Sequence, residues 1–167
     1  MNNSILELRS AKREDAKAVW LIANDALVRS MSFLSDPIPW DEHLKWYNDQ
    51  LSNNGAVIYV LVADDERIVG NVRFAVERNI ARISIALAPS SRGNGTGTKV
   101  IRMGCKKLFG THSVEVIEAL IRPSNQASVN AFVRAGFQKG SETVAHGEKA
   151  LIYVLDRITT KEKIGND

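Results

Sequence analysis

The sequence predicts an α+β fold built on one mixed, mainly antiparallel sheet of seven strands with about four helices. Three observations carry this. Apolar residues recur at helical spacing over 13–27, 41–51 and 96–109. Three strand-like segments follow one another over 56–87 with only short polar turns between them. After residue 88 helices and strands alternate, ending in a strand pair. A length of 167 residues suits one domain, expected over 1–158, with a disordered tail at 159–167. At 44% apolar and 25% charged, the chain has the composition of a globular protein with a real core.

The elements follow in order. Leu6-Glu7-Leu8-Arg9 forms a short strand. Ala16, Val19, Trp20, Ala23 and Leu27 stripe one helix over 13–27. Pro37 and Pro39 make the next stretch a loop. Asp41 caps a second helix to Leu51, with Leu44 and Tyr47 on its inner face. Residues 56–63, 68–76 and 81–87 form an antiparallel meander. A Gly/Ser-rich stretch, 89–95, opens a helix to about Phe109. A strand over 114–121, a helix over 125–135 closed by Gly136, and strands over 137–144 and 149–156 complete the chain.

The net charge is +3, but it is uneven. From Arg78 to Val114 there is no acid and there are seven bases: Arg78, Arg82, Arg92, Lys99, Arg102, Lys106 and Lys107. The remainder has 15 basic and 19 acidic residues, a net −4. No apolar run approaches the ~20 residues that span a bilayer, and residues 1–9 show no secretory signal. Cys105 stands alone, which suits a reducing, cytoplasmic setting. His43, His112 and His146 have no metal-ligand spacing, so no metal is expected.

The most informative segment runs from Ile83 through Arg92-Gly93-Asn94-Gly95-Thr96-Gly97-Thr98-Lys99. A strand enters a glycine turn that opens a helix, whose unsatisfied N–H groups attract an anion such as a diphosphate. The Walker spacing fails, because Thr98 and not Lys follows Gly97. The dinucleotide fingerprint fails too, since the glycines run Gly-x-Gly-x-Gly. All seven cations are expected to surround this loop.

Arg92-x-x-Gly95-x-Gly97 after an apolar strand resembles the Q/R-x-x-G-x-G/A acyl-CoA loop of the GNAT superfamily of N-acetyltransferases. Asn125-x-x-Ser128 with Gly136-Phe137, about 30 residues on, is similar to that family's second motif, and the element order is also the family's. The resemblance implies a sheet whose central strands, 83–87 and 116–120, splay where acetyl-CoA enters. Ile85, Leu87 and Ala88 would then hold the pantetheine. The amides of Arg92, Gly93, Asn94, Gly95, Thr96, Gly97 and Thr98 would hold the pyrophosphate, with Asn125 and Ser128 beside the arm. Lys99, Arg102, Lys106 and Lys107 either attract the 3′-phosphate or form a solvated helix face.

Acetyl transfer to an amine needs a neutral amine, a polarised carbonyl and a protonated thiolate. Many relatives use a Tyr as acid where this chain has Phe132. Ser128 takes that role in some relatives and is the acid candidate here, with Tyr153 as a remote substitute. The base candidates are Glu118, Glu77 and His43. Cys105 reads as a buried structural thiol.

The acceptor region, Asn24-Asp25…Arg29…Ile38-Pro-Trp40…His43-x-x-Trp46, resembles a subgroup that acetylates the amino group of a nucleotide-linked sugar, as in pseudaminic acid synthesis. Trp40 and Trp46 would stack a ring and Arg29 would pair a phosphate, with His43 alongside. Protein N-termini and aminoglycosides are the alternative acceptors. A non-catalytic acyl-CoA binder and a nucleic-acid module are the other classes. Nucleic acid is disfavoured because the cations cluster on a glycine loop without exposed aromatics. A homodimer is left open.

Overall fold

The computed structural model describes residues 6–158, so the tail expected to be disordered, 159–167, lies outside the described residues. Its elements are β1 (Glu7–Ser10), α1 (Ala16–Ala23), α2 (Ala26–Met31), α3 (Trp40–Leu51), β2 (Ala56–Val62), β3 (Ile68–Glu77), β4 (Ile80–Leu87), α4 (Thr96–Thr111), β5 (Val116–Ile121), α5 (Gln126–Arg134), β6 (Gln138–Ala145) and β7 (Glu148–Asp156). The strands form one sheet in the order β1-β2-β3-β4-β5-β7-β6. Among the described residues only β4 and β5 pair in parallel. Among the described residues no helix is long and apolar enough to cross a membrane.

Two expectations are corrected. The helix over 13–27 is broken into α1 and α2. Asp25 sits at φ −55°, ψ 137° and its carboxylate accepts from the N–H groups of Leu27 and Val28 at 3.1 and 3.2 Å. Asn24 grips Ile38 from both sides, donating to its carbonyl at 3.0 Å and accepting from its N–H at 2.7 Å. Such short polar side chains compete with the helical ladder, so the helix ends and restarts here, and Leu27 is left exposed. Second, α3 starts at Trp40, directly after Pro39. Asp41 is therefore not the cap but lies in the first turn with Glu42, where the helix dipole favours carboxylates.

Strand alternation gives the sheet two faces. Tyr59, Leu61, Val72, Phe74, Ala81, Ile83, Ile117 and Ala119 face α4 and α5, meeting Val100, Ile101, Cys105, Leu108 and Phe132. Ile58 and Val60 face the other way, onto Ala16, Val19 and Tyr47 of α1 and α3. Each large apolar side chain so buried contributes about 1.5–3 kcal/mol. At Gly104 an added Cβ would lie 3.1 Å from Val72 Cγ1, so the glycine is what lets α4 sit this close to β3.

The parallel β4–β5 pair is short. Residues 80–83 register with 116–119, while β4 continues to Leu87 and β5 to Ile121. The strands diverge beyond Ile83 and Ala119, and among the described residues, 84–87 have no strand partner on the β5 side. The last hairpin turns through His146 and Gly147 at φ +51° and +79°, the left-handed pair of a two-residue turn that matches strand twist.

Candidate active site

The cofactor side is made of main chain. Gly93 and Gly95 adopt φ of +86° and +75°, values a side chain would strain. The N–H groups of Ser91 and Arg92 bond to the carbonyls of Ala88 and Pro89, and the next amide to find a carbonyl is that of Lys99, 3.1 Å from Gly95 O. Between them the six amides of Gly93, Asn94, Gly95, Thr96, Gly97 and Thr98 donate to no protein acceptor among the described residues. Six open N–H groups at the start of a 16-residue helix form an anion cradle.

The Arg92 side chain faces elsewhere. It donates to Leu87 O at 3.1 and 2.8 Å and meets Asp25 at 2.5 Å. That hydrogen bond holds the Asp25 carboxyl below its ordinary pKa. Arg92 thus ties the loop to the break between α1 and α2. Next to the cradle is a groove of about 510 Å³ lined by Gly95, Thr98, Lys99, Arg102, Met103 and Arg134. The expectation that seven cations surround the loop is corrected. Arg82 lies near the start of β4, roughly 20 Å from the loop at about 3.3 Å per strand residue, and Arg78, in the β3–β4 turn, is farther still. Lys107 sits over the Tyr59 ring at 5.7 Å.

Helix α5 closes the opening. A Cβ on Gly97 would touch that of Ala131 at 3.6 Å, and Thr98 Oγ1 reaches Ala131 O at 3.5 Å. Ser128, one turn before Ala131, is half-buried, and its hydroxyl has no partner among the described residues. Asn125 caps the helix by accepting from the Ser128 N–H at 3.1 Å. Phe132 packs edge-on against Phe137 at 4.9 Å in the core. Tyr153 is buried in that core, paired with Ala119. Glu118 lies on the opposite face of β5, 3.5 Å from Arg82. Glu77 is exposed at the far end of β3, away from the splay.

The acceptor-side residues largely hold one another. Arg29 donates to Ala23 O at 2.6 Å, Leu34 O at 3.0 Å and Ser32 Oγ at 3.1 Å, leaving two of its five N–H groups for a ligand. Its partial burial lowers its pKa. His43 is 2% exposed and enclosed by Trp40, Trp46 and Tyr47 at 5.6–6.1 Å between ring centres. Its Nε2–H donates to Ala16 O at 3.0 Å, and burial pushes its pKa down. The structure therefore sets His43 in the α1–α3 packing, its ring enclosed by aromatic neighbours. Trp40 meets Trp20 edge-on at 5.4 Å. Trp46 remains exposed and carries the Arg73 guanidinium over its ring at 5.4 Å. Cys105 is buried and its thiol pKa raised by burial, as expected of a structural thiol.

Three residues have site-building places that the motifs did not single out. Arg122, just past β5, donates to Ser30 O at 2.9 Å and Ser32 O at 3.1 Å and meets Glu148 at 2.7 Å, joining α2 to the last hairpin. Asn71 and Arg73 lie on the α1–α3 face of β3 beside the free stretch of β4. The period-two alternation of β3 already places both opposite Val72 and Phe74.

A domain model described as acetyltransferase (GNAT) domain matches residues 6–138, and the chain belongs to that family. The L-2,4-diaminobutyric acid acetyltransferase of Nocardia farcinica (strain IFM 10152) is 27% identical over 139 residues. That stretch is 81% of this chain and 66% of the relative, so the chain spans just under two thirds of the relative's length. The aminoglycoside acetyltransferase AAC(6′)-Ib, solved with ribostamycin and coenzyme A, superposes with a TM-score of 0.85 at 16% identity, covering 97% of this chain and 99% of that one. Spermidine N-acetyltransferase from Vibrio cholerae, with CoA and spermine, gives 0.82 at 19% identity over 92% and 96%. These two likenesses are of fold.

Proposed function

We propose that the protein is an acetyl-CoA-dependent N-acetyltransferase that passes acetyl directly to a primary amine. The observation that carries this is the row of six open amides beside the β4–β5 splay. The amides neutralise a pyrophosphate, and Lys99 and Arg102 extend that attraction into the groove. The edge of 84–87 that lacks a strand partner takes the pantetheine amides as an added strand would, and its N–H groups polarise the thioester carbonyl.

The splay joins the two faces of the sheet. Glu118, on the acceptor face, takes a proton from the ammonium through water. Ser128, on the α5 face, gives one to the departing thiolate, and the proton shed by the attacking nitrogen as the amide forms restores the Ser128 hydroxyl through water. Holding both substrates at the opening supplies much of the remaining rate. Calorimetry with acetyl-CoA tests the reading directly. Micromolar binding that weakens when the loop is altered is expected, and no binding overturns it.

For the acceptor we propose the amino group of a nucleotide-linked sugar. The support is the Asn24–Asp25…Arg29…His43–Trp46 arrangement and the exposed Trp46 ring with the Arg73 guanidinium over it, an aromatic and cationic pair suited to a sugar phosphate. Thiol release measured over nucleotide amino-sugars, N-terminal peptides, aminoglycosides and polyamines tests it. Release with peptides alone removes the sugar reading.

A further inference from the structure

We infer that Arg73 and Asn71 form a subsite for an anionic group on the acceptor, so that the amines this enzyme selects carry a carboxylate or a phosphate close to the reacting nitrogen. The inference rests on the acetyltransferase reading above and narrows its substrate class.

Arg73 is half-buried, yet it makes no hydrogen bond and no ion pair among the described residues; its recorded partner is the Trp46 ring. Two residues away on the same strand face, Asn71 Nδ2 is buried with no acceptor. Buried donors ordinarily find partners, and one left without costs about 1–3 kcal/mol. Asn71 Nδ2 is such a buried donor, and the solvent-reached Arg73 guanidinium on the same strand face has no acceptor among the described residues either, so the two together offer donors to a ligand's oxygen atoms. Burial also lowers the Arg73 pKa with no opposing contribution from an acid, although an arginine remains charged at neutral pH. The nearest carboxylate on that face of β5, Glu118, is directed to Arg82.

Their position is what links them to the reaction. Arg73 registers with Ser84 and Asn71 with Ala86, and both partners lie beyond Ile83, where β4 has parted from β5. Side chains of such cross-strand pairs are about 5 Å apart at Cβ. Ser84 and Ala75, the neighbours of Arg73 along the sheet, are exposed, so this floor is open to solvent. A planar guanidinium resting on an indole face is preorganised for bidentate contact with a carboxylate or phosphate. The acidic residues that would have favoured a polycation, Asp36, Asp41, Glu42 and Asp49, are all exposed on the loop and α3 instead.

Matched acceptors test this. L-2,4-diaminobutyrate and 1,3-diaminopropane differ only by the carboxylate, and an amino-sugar 1-phosphate and its free amino-sugar differ only by the phosphate. We expect kcat/KM at least ten-fold higher for the anionic member of one pair, and a preference below about two-fold in Arg73→Gln, with partial recovery in Arg73→Lys. The pair that shows the preference tells carboxylate from phosphate. Equal use of both members of each pair, or an undiminished preference in Arg73→Gln, overturns the inference. Should no panel amine turn over, the Arg73 Nε–H resonance, assigned by its loss in Arg73→Lys, is followed in the CoA-bound protein. A shift with diaminobutyrate or uridine diphosphate, absent with diaminopropane, supports the subsite; no shift overturns it. Failure to bind acetyl-CoA at all is a different result, which removes the acetyltransferase reading.

Discussion

The two sides of the opening are built from different material. On the cofactor side the recognition elements are main-chain amides left open between Gly93 and Thr98. On the acceptor side most polar side chains of the motif are engaged within the protein: Asn24 with the Ile38 main chain, Asp25 with Arg92, Arg29 with its own loop and His43 with Ala16 O. A ligand held by main chain depends on backbone conformation and tolerates side-chain change. A wall held by side chains fails as a structure before it fails as a binding site. Arg73 and Asn71 stand out because they belong to the acceptor side and are not engaged.

The largest expected effect tests where the chemistry lies between the two sides. Ser128→Ala should lower kcat by about 100-fold or more with little change in KM for acetyl-CoA, as loss of a general acid does. Steady-state kinetics with an active amine decides it; a fall in kcat under about three-fold removes Ser128 from the chemistry. Next, His43→Ala should act on stability. Removing a buried ring costs roughly 2–4 kcal/mol, or about 4–16 °C in Tm for a domain of this size. Because burial lowers the His43 pKa in the folded state, the unfolded chain binds the extra proton. Stability should therefore fall as pH drops below about 6.5, and His43→Phe should flatten that slope in thermal melts. A pH–rate limb that disappears without loss of Tm would instead return His43 to the reaction.

Smaller effects separate backbone from side chain on the cofactor side. Gly95→Val forces a β-branched residue to φ near +75°, and should weaken acetyl-CoA binding about ten-fold by calorimetry for ~1–2 kcal/mol of strain. Lys99→Ala should weaken CoA by only about two- to five-fold and dephospho-CoA less. Equal losses for the two would place Lys99 away from the 3′-phosphate.

Much of this was legible in the sequence because it is local. The alternation of Ile83, Ile85 and Leu87 and the spacing of Arg92, Gly95 and Gly97 act within a few residues, and they locate β4, the loop and the start of α4. The break at Asn24–Asp25 was not visible in the apolar stripe, since Leu27 continues the helical period and only the Asx side chains stop it. The sequence counts the Arg92 side chain among the cations around the loop, because its partner Asp25 is 67 residues away. In the sequence Arg73 is one more polar residue on a strand. What marks it is an absence of partners, which no spacing records.

The tie made by Arg122 has a consequence for the order in which the protein is assembled. Helix α2 buries none of its own residues, and is held instead by Asp25 with Arg92 and by Arg122, itself braced on Glu148 of the final hairpin. A segment synthesised in the first fifth of the chain is thus fixed by a clamp completed only near its end. Contacts so distant in sequence form late, after the loops between them have closed. On the ribosome the acceptor wall would be the last part of the enzyme to acquire its shape, well after the cofactor loop could begin to take form.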